Sequence, residues 1–216
     1  DLHLAAMNEA KGKGAVAGSL GPLAASYRPD LFPSHEEAVA TYKEIAALQA
    51  PHVDLFICET VASVANAKAV LEAAASTGKP VWLARTVDDA DGTKLRSGEP
   101  IADAVAIAQD AAALLANCSV PEAIEAAVDV LSQSGKPFGA YANGFTKISD
   151  GFLGSKPTVD ALEARTDLGP EAYTRFVMGW IAKGATIVGG CCEVRPAHIA
   201  KMAETIKEAG HEITAP

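Results

Sequence analysis

Six short, near-continuous apolar runs alternate along the chain with longer stretches of helical periodicity. The runs cover residues 15–20, 54–60, 80–86, 113–118, 137–143 and 186–192. Strands buried on both faces read this way, because neither face carries the polar half of a two-residue alternation. Helix signals fall between them. Ser34-His35-Glu36-Glu37 is a capping-box pattern ahead of Ala38-Val39 and Ile45-Ala46. Ser119-Val120-Pro121-Glu122 is a second, opening a helix through Ile124, Val128 and Leu131 that Gly135 stops. Residues 66–75, 102–112, 173–183 and 197–209 complete the predicted helices. Strand–helix alternation of this kind predicts parallel strands joined by right-handed crossovers.

Two architectures fit this pattern: a doubly wound open sheet and a (β/α)8 barrel. Ser19, Glu59, Thr86, Cys118, Asn143 and Cys192 each stand at the C-terminal end of a different run. A barrel gathers those ends at one mouth, where barrel enzymes keep their chemistry, whereas an open sheet spreads them along a line. Six strands do not close an eight-stranded barrel, so either two strands lie outside this chain or the sheet is open. No Gly-x-Gly-x-x-Gly follows a strand, so nothing supports a dinucleotide site. Two polar, glycine-punctuated loops, 87–99 and 144–169, read equally as a hairpin and a lid over the mouth or as solvated connectors.

Composition narrows the partners. The chain has 216 residues, with 27 acidic against 18 basic side chains and a formal charge of -9. A nucleic acid or an anionic membrane surface needs clustered Lys and Arg, so neither is expected and a small-molecule substrate fits better. No apolar run approaches about 18 residues, so no membrane span is expected. Asp1-Leu2-His3-Leu4 shows no signal-peptide pattern. Four cysteines are too few for a disulfide scaffold, which points to a reducing cytoplasm where thiols bind metal or do chemistry.

Three of those cysteines form a pattern. Cys118 ends one run, and 73 positions later the adjacent pair Cys191 and Cys192 ends another, directly after Gly189-Gly190. A lone buried cysteine is usually a small hydrophobe, but three at strand ends are hard to explain by packing. Three thiolates leave the fourth position of a zinc ion open, which is the catalytic rather than the structural pattern. An electron-rich set of this kind suits a soft fourth ligand such as a substrate thiol. Zinc would lower the pKa of that thiol so that its sulfur can attack a methyl group in line. Cys58 sits next to Glu59 and therefore faces the other way, under the helices. Glu59 closes an apolar strand, and either a substrate ammonium or a helix dipole would satisfy it there. Asn117 and Asn143 are candidates to bond backbone or substrate. Ser19 has no His-Asp pattern and is not read as a nucleophile. His198 is expected to be a surface or packing residue.

Gly189-Gly190-Cys191-Cys192, followed by Pro196 and Ala197-His198-Ile199, resembles the signature of the homocysteine S-methyltransferase family. Ala17-Gly18-Ser19-Leu20-Gly21-Pro22, Cys58-Glu59-Thr60, Asn117-Cys118 and Tyr141-Ala142-Asn143 resemble its third, fourth, sixth and seventh strand ends, in order. The resemblance implies a single (β/α)8 barrel domain over 1–216, of which six βα units, the family's strands three to eight, are visible. It implies Zn2+ on Cys118, Cys191 and Cys192, with no catalytic group beyond the metal site, and substrate contacts from Glu59, Thr60, Ser19, Asn117 and Asn143. Homocysteine would be the acceptor, with Glu59 on its amino group, and a sulfonium or quaternary ammonium compound the methyl donor. The family's first two strands, one ending in a substrate-binding Asp, have no counterpart here. The expectation is that the chain starts in the helix before the third strand. Ala142 stands where the family has Pro, and Glu193-Val194-Arg195 departs from its commoner Thr-rich segment. Arg195 reads as a surface residue or as a contact for a donor carboxylate. A non-catalytic zinc- or thiol-binding barrel, and a methyltransferase acting on another thiol or a selenol, are the alternatives.

Overall fold

A computed structural model of the chain describes residues 14–146, 148, 152–153 and 162–214. The helix expected ahead of the first strand and the centre of the 144–169 loop fall outside these residues. Six strands are present among the described residues: β1 (Ala17–Leu20), β2 (Leu55–Val61), β3 (Val81–Arg85), β4 (Ala113–Asn117), β5 (Phe138–Tyr141) and β6 (Ile187–Val188). Each pairs in parallel with the next in sequence, giving the order β1-β2-β3-β4-β5-β6. A doubly wound sheet reverses its winding at a switch point, and no reversal occurs here. This is the winding of a β/α barrel, and six consecutive units of one are present; β1 and β6 are the edges of the sheet among the described residues.

The helices are α1 (His35–Gln49), α2 (Val64–Ala75), α3 (Ile101–Ala106), α4 (Pro121–Leu131), α5 (Pro170–Ala182) and α6 (Pro196–Glu208). The Ser34 capping box forms: Ser34 Oγ accepts from Glu37 N–H, and Ser34 N–H donates to the Glu37 carboxylate at 3.3 Å. The second box does not form. Val120 is the N-cap of α4, and the buried Ser119 Oγ bonds the main chain of Val87 instead. Pro at the first helical position needs no donor, so α4 starts without a side-chain cap. α3 stops at Ala106, short of the expected 112, and i→i−3 bonds at Ala108 and Ala111 turn the chain into β4. Lys136 Nζ donates to the carbonyls of Gln109 and Ala111 there.

One face of the sheet packs under the helices. Its rows run Cys58, Leu83, Leu114, Phe138 and, one level up, Val61, Arg85, Ala116, Ala140, Val188. Ile124, Ala127, Val128 and Leu131 of α4 are fully buried, an i, i+3, i+4, i+7 stripe. Burying each large aliphatic side chain of this kind contributes about 1.5–3 kcal/mol. Cys58 lies in this layer with its thiol against Val70 O, on the face opposite Glu59, as alternation requires. Arg85 interrupts the layer. It is 0% exposed, and none of its three guanidinium nitrogens has a hydrogen-bond partner. Burial pulls its pKa down to about 9, still above neutrality, so it enters the core as a cation. No helix among the described residues is long and apolar enough to cross a membrane.

Candidate metal centre

The strand ends leave regular geometry where the polar residues begin. The register of β2 slips between Cys58 and Val61, and Thr60 takes a left-handed φ of 58°. A bulge of this kind re-aims side chains, here Glu59 and Thr60. A β-branched residue resists that conformation, so its surroundings must hold it. Asn117, at the end of β4, does so with both ends of its amide. Its Oδ1 accepts from Thr60 N–H at 3.0 Å, and its Nδ2 donates to Thr60 Oγ1 at 3.1 Å. The next residue, Cys118, is also left-handed, with φ 49°, and its N–H donates to Tyr141 O at 3.1 Å.

The other two cysteines come from the turn after β6. Cys191 N–H donates to Ala142 O at 2.9 Å, and Val194 N–H closes the turn on Cys191 O at 3.1 Å. Gly190 is required here. A Cβ on it would lie 2.1 Å from Val194 Cγ1. Tyr173 of α5 ties the two strand ends together, accepting from Ala142 N–H at 3.0 Å and donating to Gly189 O at 2.8 Å.

These turns bring the three sulfurs together. Cys118 Sγ lies 3.0 Å from Cys191 Sγ and 3.7 Å from Cys192 Sγ, and the last two are 3.9 Å apart. Tetrahedral zinc with Zn–S bonds of about 2.3 Å needs sulfurs about 3.8 Å apart. Two of the three separations match; the third must open by less than an ångström. Cys118 is buried, Cys191 half-buried and Cys192 exposed, so the cluster opens to solvent on one side. Hydrogen bonds from Cys118 and Cys191 lower the Cys192 pKa to about 3. Cys191, which donates to both neighbours and is partly buried, is pushed far up.

Glu59 forms a second cluster beside the first. Its carboxylate accepts from Ser19 Oγ at 2.5 Å and from Tyr141 Oη at 3.1 Å. Burial, then the nearby Glu59 and cysteine charges, hold Tyr141 well above its usual range, so its hydroxyl stays a donor. Tyr141 thus touches both clusters, with its carbonyl on Cys118 and its hydroxyl on Glu59. Asn143 is fully buried: Oδ1 accepts from Phe145 N–H at 3.2 Å, while Nδ2 has no partner. Thr86 Oγ1 meets Ser119 Oγ at 3.1 Å and donates to Cys118 O at 3.3 Å. His198 packs edge-on against Tyr173, as a packing residue should. The Arg195 side chain is 73% exposed and pairs with Glu193.

Tyr27 carries no sequence signal, yet its hydroxyl donates to Cys118 Sγ at 2.9 Å. Burial, then the cysteine charges, keep it protonated far above its usual range. It lies in a Ser-Tyr-Arg-Pro stretch that reads as an ordinary turn. Only its contact with a residue 91 positions away marks it.

Sequentially wound parallel strands with three cysteine sulfurs converging at their C-terminal ends define a β/α-barrel protein with a thiol cluster suited to a metal. Comparison with known proteins makes the assignment specific. The sequence profile of the homocysteine S-methyltransferase family matches residues 1–206, and the chain belongs to that family. It is 26% identical over 166 residues to homocysteine S-methyltransferase 4 of Zea mays, covering 74% of this chain and 46% of that protein. It is also 26% identical over 163 residues to the selenocysteine Se-methyltransferase of Brassica oleracea var. italica, covering 73% and 46%. The metallated crystal form of the homocysteine methyltransferase MmuM from Escherichia coli superposes with a TM-score of 0.73 at 25% identity. That match covers 94% of this chain and 66% of that one. The chain spans about half the length of these curated relatives.

Proposed function

We propose that Cys118, Cys191 and Cys192 hold a zinc ion and that the protein transfers a methyl group to the thiol of homocysteine, giving methionine. The observation that carries this reading is the three-sulfur cluster at the strand ends of a chain in the homocysteine S-methyltransferase family. The donor set supports zinc over harder cations, because soft thiolates select it and leave one position for a further sulfur. When bound, the ion supplies acidification of the acceptor thiol, so that a thiolate is available near neutral pH.

The chain's own groups do the rest. Glu59 offers its carboxylate to the substrate ammonium, with Ser19 and Tyr141 orienting it from either side. Asn117 and Thr60 act through each other, fixing the strand ends that carry Cys118 and Glu59. Asn143 has an amide N–H to offer to a substrate oxygen. The donor in this reading is a sulfonium or quaternary ammonium compound, whose methyl leaves to a neutral product and needs no cobalamin carrier. A reducing cytoplasm fits four cysteines that are all free.

The test is an assay of the full-length protein with homocysteine and a panel of methylsulfonium and methylammonium donors. Methionine formation from one donor, lost in Cys118→Ser and with a raised KM for homocysteine in Glu59→Gln, is expected. Zinc binding without turnover of any donor would instead favour a non-catalytic thiol-binding barrel. Selenocysteine belongs in the acceptor panel, because the chain is 26% identical to a selenocysteine Se-methyltransferase as well as to a homocysteine S-methyltransferase.

A further inference from the structure

Among the described residues, Cys118 differs from the other two cysteines in having a side-chain hydrogen-bond donor outside the cluster on its sulfur, the Tyr27 hydroxyl at 2.9 Å. That donor is held with unusual care. Tyr27 is left-handed, with φ 63°, a conformation a bulky residue adopts only when its surroundings impose it. Arg96 lies over its ring, with the guanidinium carbon 5.0 Å from the centroid, and Phe152 packs against the ring with centroids 5.8 Å apart. Arg96 is itself fixed. It donates twice to Asp89, at 2.8 and 3.0 Å, and once to Thr86 Oγ1 at 3.3 Å. Asp89 Oδ1 also accepts from Val120 N–H at 3.2 Å, two residues beyond Cys118. The 87–99 loop therefore reaches Cys118 by two routes, through Tyr27 to the sulfur and through Asp89 to the main chain.

We propose that Tyr27 is a positioning residue of the metal centre, which sets the donor strength of the Cys118 sulfur through its hydroxyl, and that Arg96 acts through Tyr27 by holding and polarising its ring. This rests on the metal reading given above. Three thiolates and a divalent cation leave a net negative charge, and a fourth thiolate would add to it. A neutral O–H on one sulfur withdraws electron density from that sulfur without removing it as a ligand. A cation over the phenol ring makes the hydroxyl a better donor and pins its direction. Outer partners of this kind orient ligands and tune the ion, and losing one typically costs roughly 10–100-fold in metal affinity. The arrangement makes the three sulfurs inequivalent, with Cys118 the least electron-rich.

The experiment uses the full chain, cobalt(II) as a spectroscopic probe and a chelator to measure affinity. The variants are Tyr27→Phe, which keeps the ring beneath Arg96, then Arg96→Met, and the double variant. The parent is expected to bind one cobalt with a thiolate-to-metal charge-transfer band. Tyr27→Phe should still bind one cobalt, with that band moved to lower energy and affinity lowered roughly 10–100-fold. Arg96→Met should shift both in the same direction by less, and its effect should be diminished in the Tyr27→Phe background, where only the Asp89 route is left to it. A Tyr27→Phe spectrum and affinity equal to the parent's would overturn the proposal, as would an Arg96→Met effect undiminished in the double variant. A parent that binds no metal would overturn the metal reading itself, a result distinct from either of these.

Discussion

The helix-facing side of the sheet and the C-terminal ends of its strands are built on opposite principles. Beneath the helices the rows are apolar and largely buried, with Arg85 the one charged member. At the strand ends the backbone is irregular and most polar groups are engaged. All four non-glycine residues with left-handed backbone among the described residues, Tyr27, Thr60, Cys118 and Glu193, lie in or next to the sulfur and Glu59 clusters. The contrast teaches that stability and chemistry are segregated by level within each strand. Such strain costs of order 1–3 kcal/mol per residue, and it persists because the layer below supplies the stability.

That division can be broken from either side. The largest effect is expected in the packed layer: Leu114→Ala, at a 0% exposed position, should cost roughly 2–5 kcal/mol by urea denaturation while metal stoichiometry stays the same. Arg85 should behave in the opposite sense. Arg85→Leu removes an unpaired buried cation and should raise stability by roughly 1–4 kcal/mol. The gap has a pH signature. The folded pKa is about 9 and the unfolded value that of a free arginine, so below pH 9 both states are charged and the penalty is complete. Above pH 9 the unfolded chain holds the extra proton, and the parent gains stability as pH rises. Urea midpoints of parent and Arg85→Leu should therefore converge between pH 7 and pH 10; a constant gap would show that the guanidinium has found a partner.

At the strand ends smaller stability effects should accompany larger changes in metal binding. Asn117→Ala removes two buried hydrogen bonds from Thr60 and should cost about 1–3 kcal/mol. It should also weaken chelator-competed metal affinity, because the adjacent Cys118 loses its anchor. Unchanged affinity would mean that the left-handed turn at Cys118 does not depend on the Asn117 side chain. Thr60→Gly should be the mildest, within about 1 kcal/mol by the same assay, since relief of the left-handed φ offsets one lost hydroxyl bond.

Much of the packed layer was legible in the chain. Five of the six strands fall inside the apolar runs and β2 oversteps its run by one residue, Val61, because burial on both faces leaves no other composition for them. The Ser34 box was legible because a cap is local, with donor and acceptor three residues apart. Ser119 shows the limit of that logic: the same local pattern is present, but a buried partner 32 residues away takes its hydroxyl. Alanine-rich α3 carried no stop signal, and the turn that follows it is held by the distant Lys136 on the carbonyls of Gln109 and Ala111. At the mouth the cysteines and Glu59 were visible as polar residues closing apolar runs. Tyr27, Arg96 and Asp89 were not, because they lie in loops without periodicity and meet the site through contacts remote in sequence.

The central claim is that Cys118, Cys191 and Cys192 are one metal site, and zinc titration of the reduced full-length protein tests it most directly. One zinc per chain in the parent, and essentially none in Cys118→Ser with the fold retained by circular dichroism, is the expected result. A reduced parent that takes up no zinc, or a Cys118→Ser variant that binds it undiminished, would contradict the account.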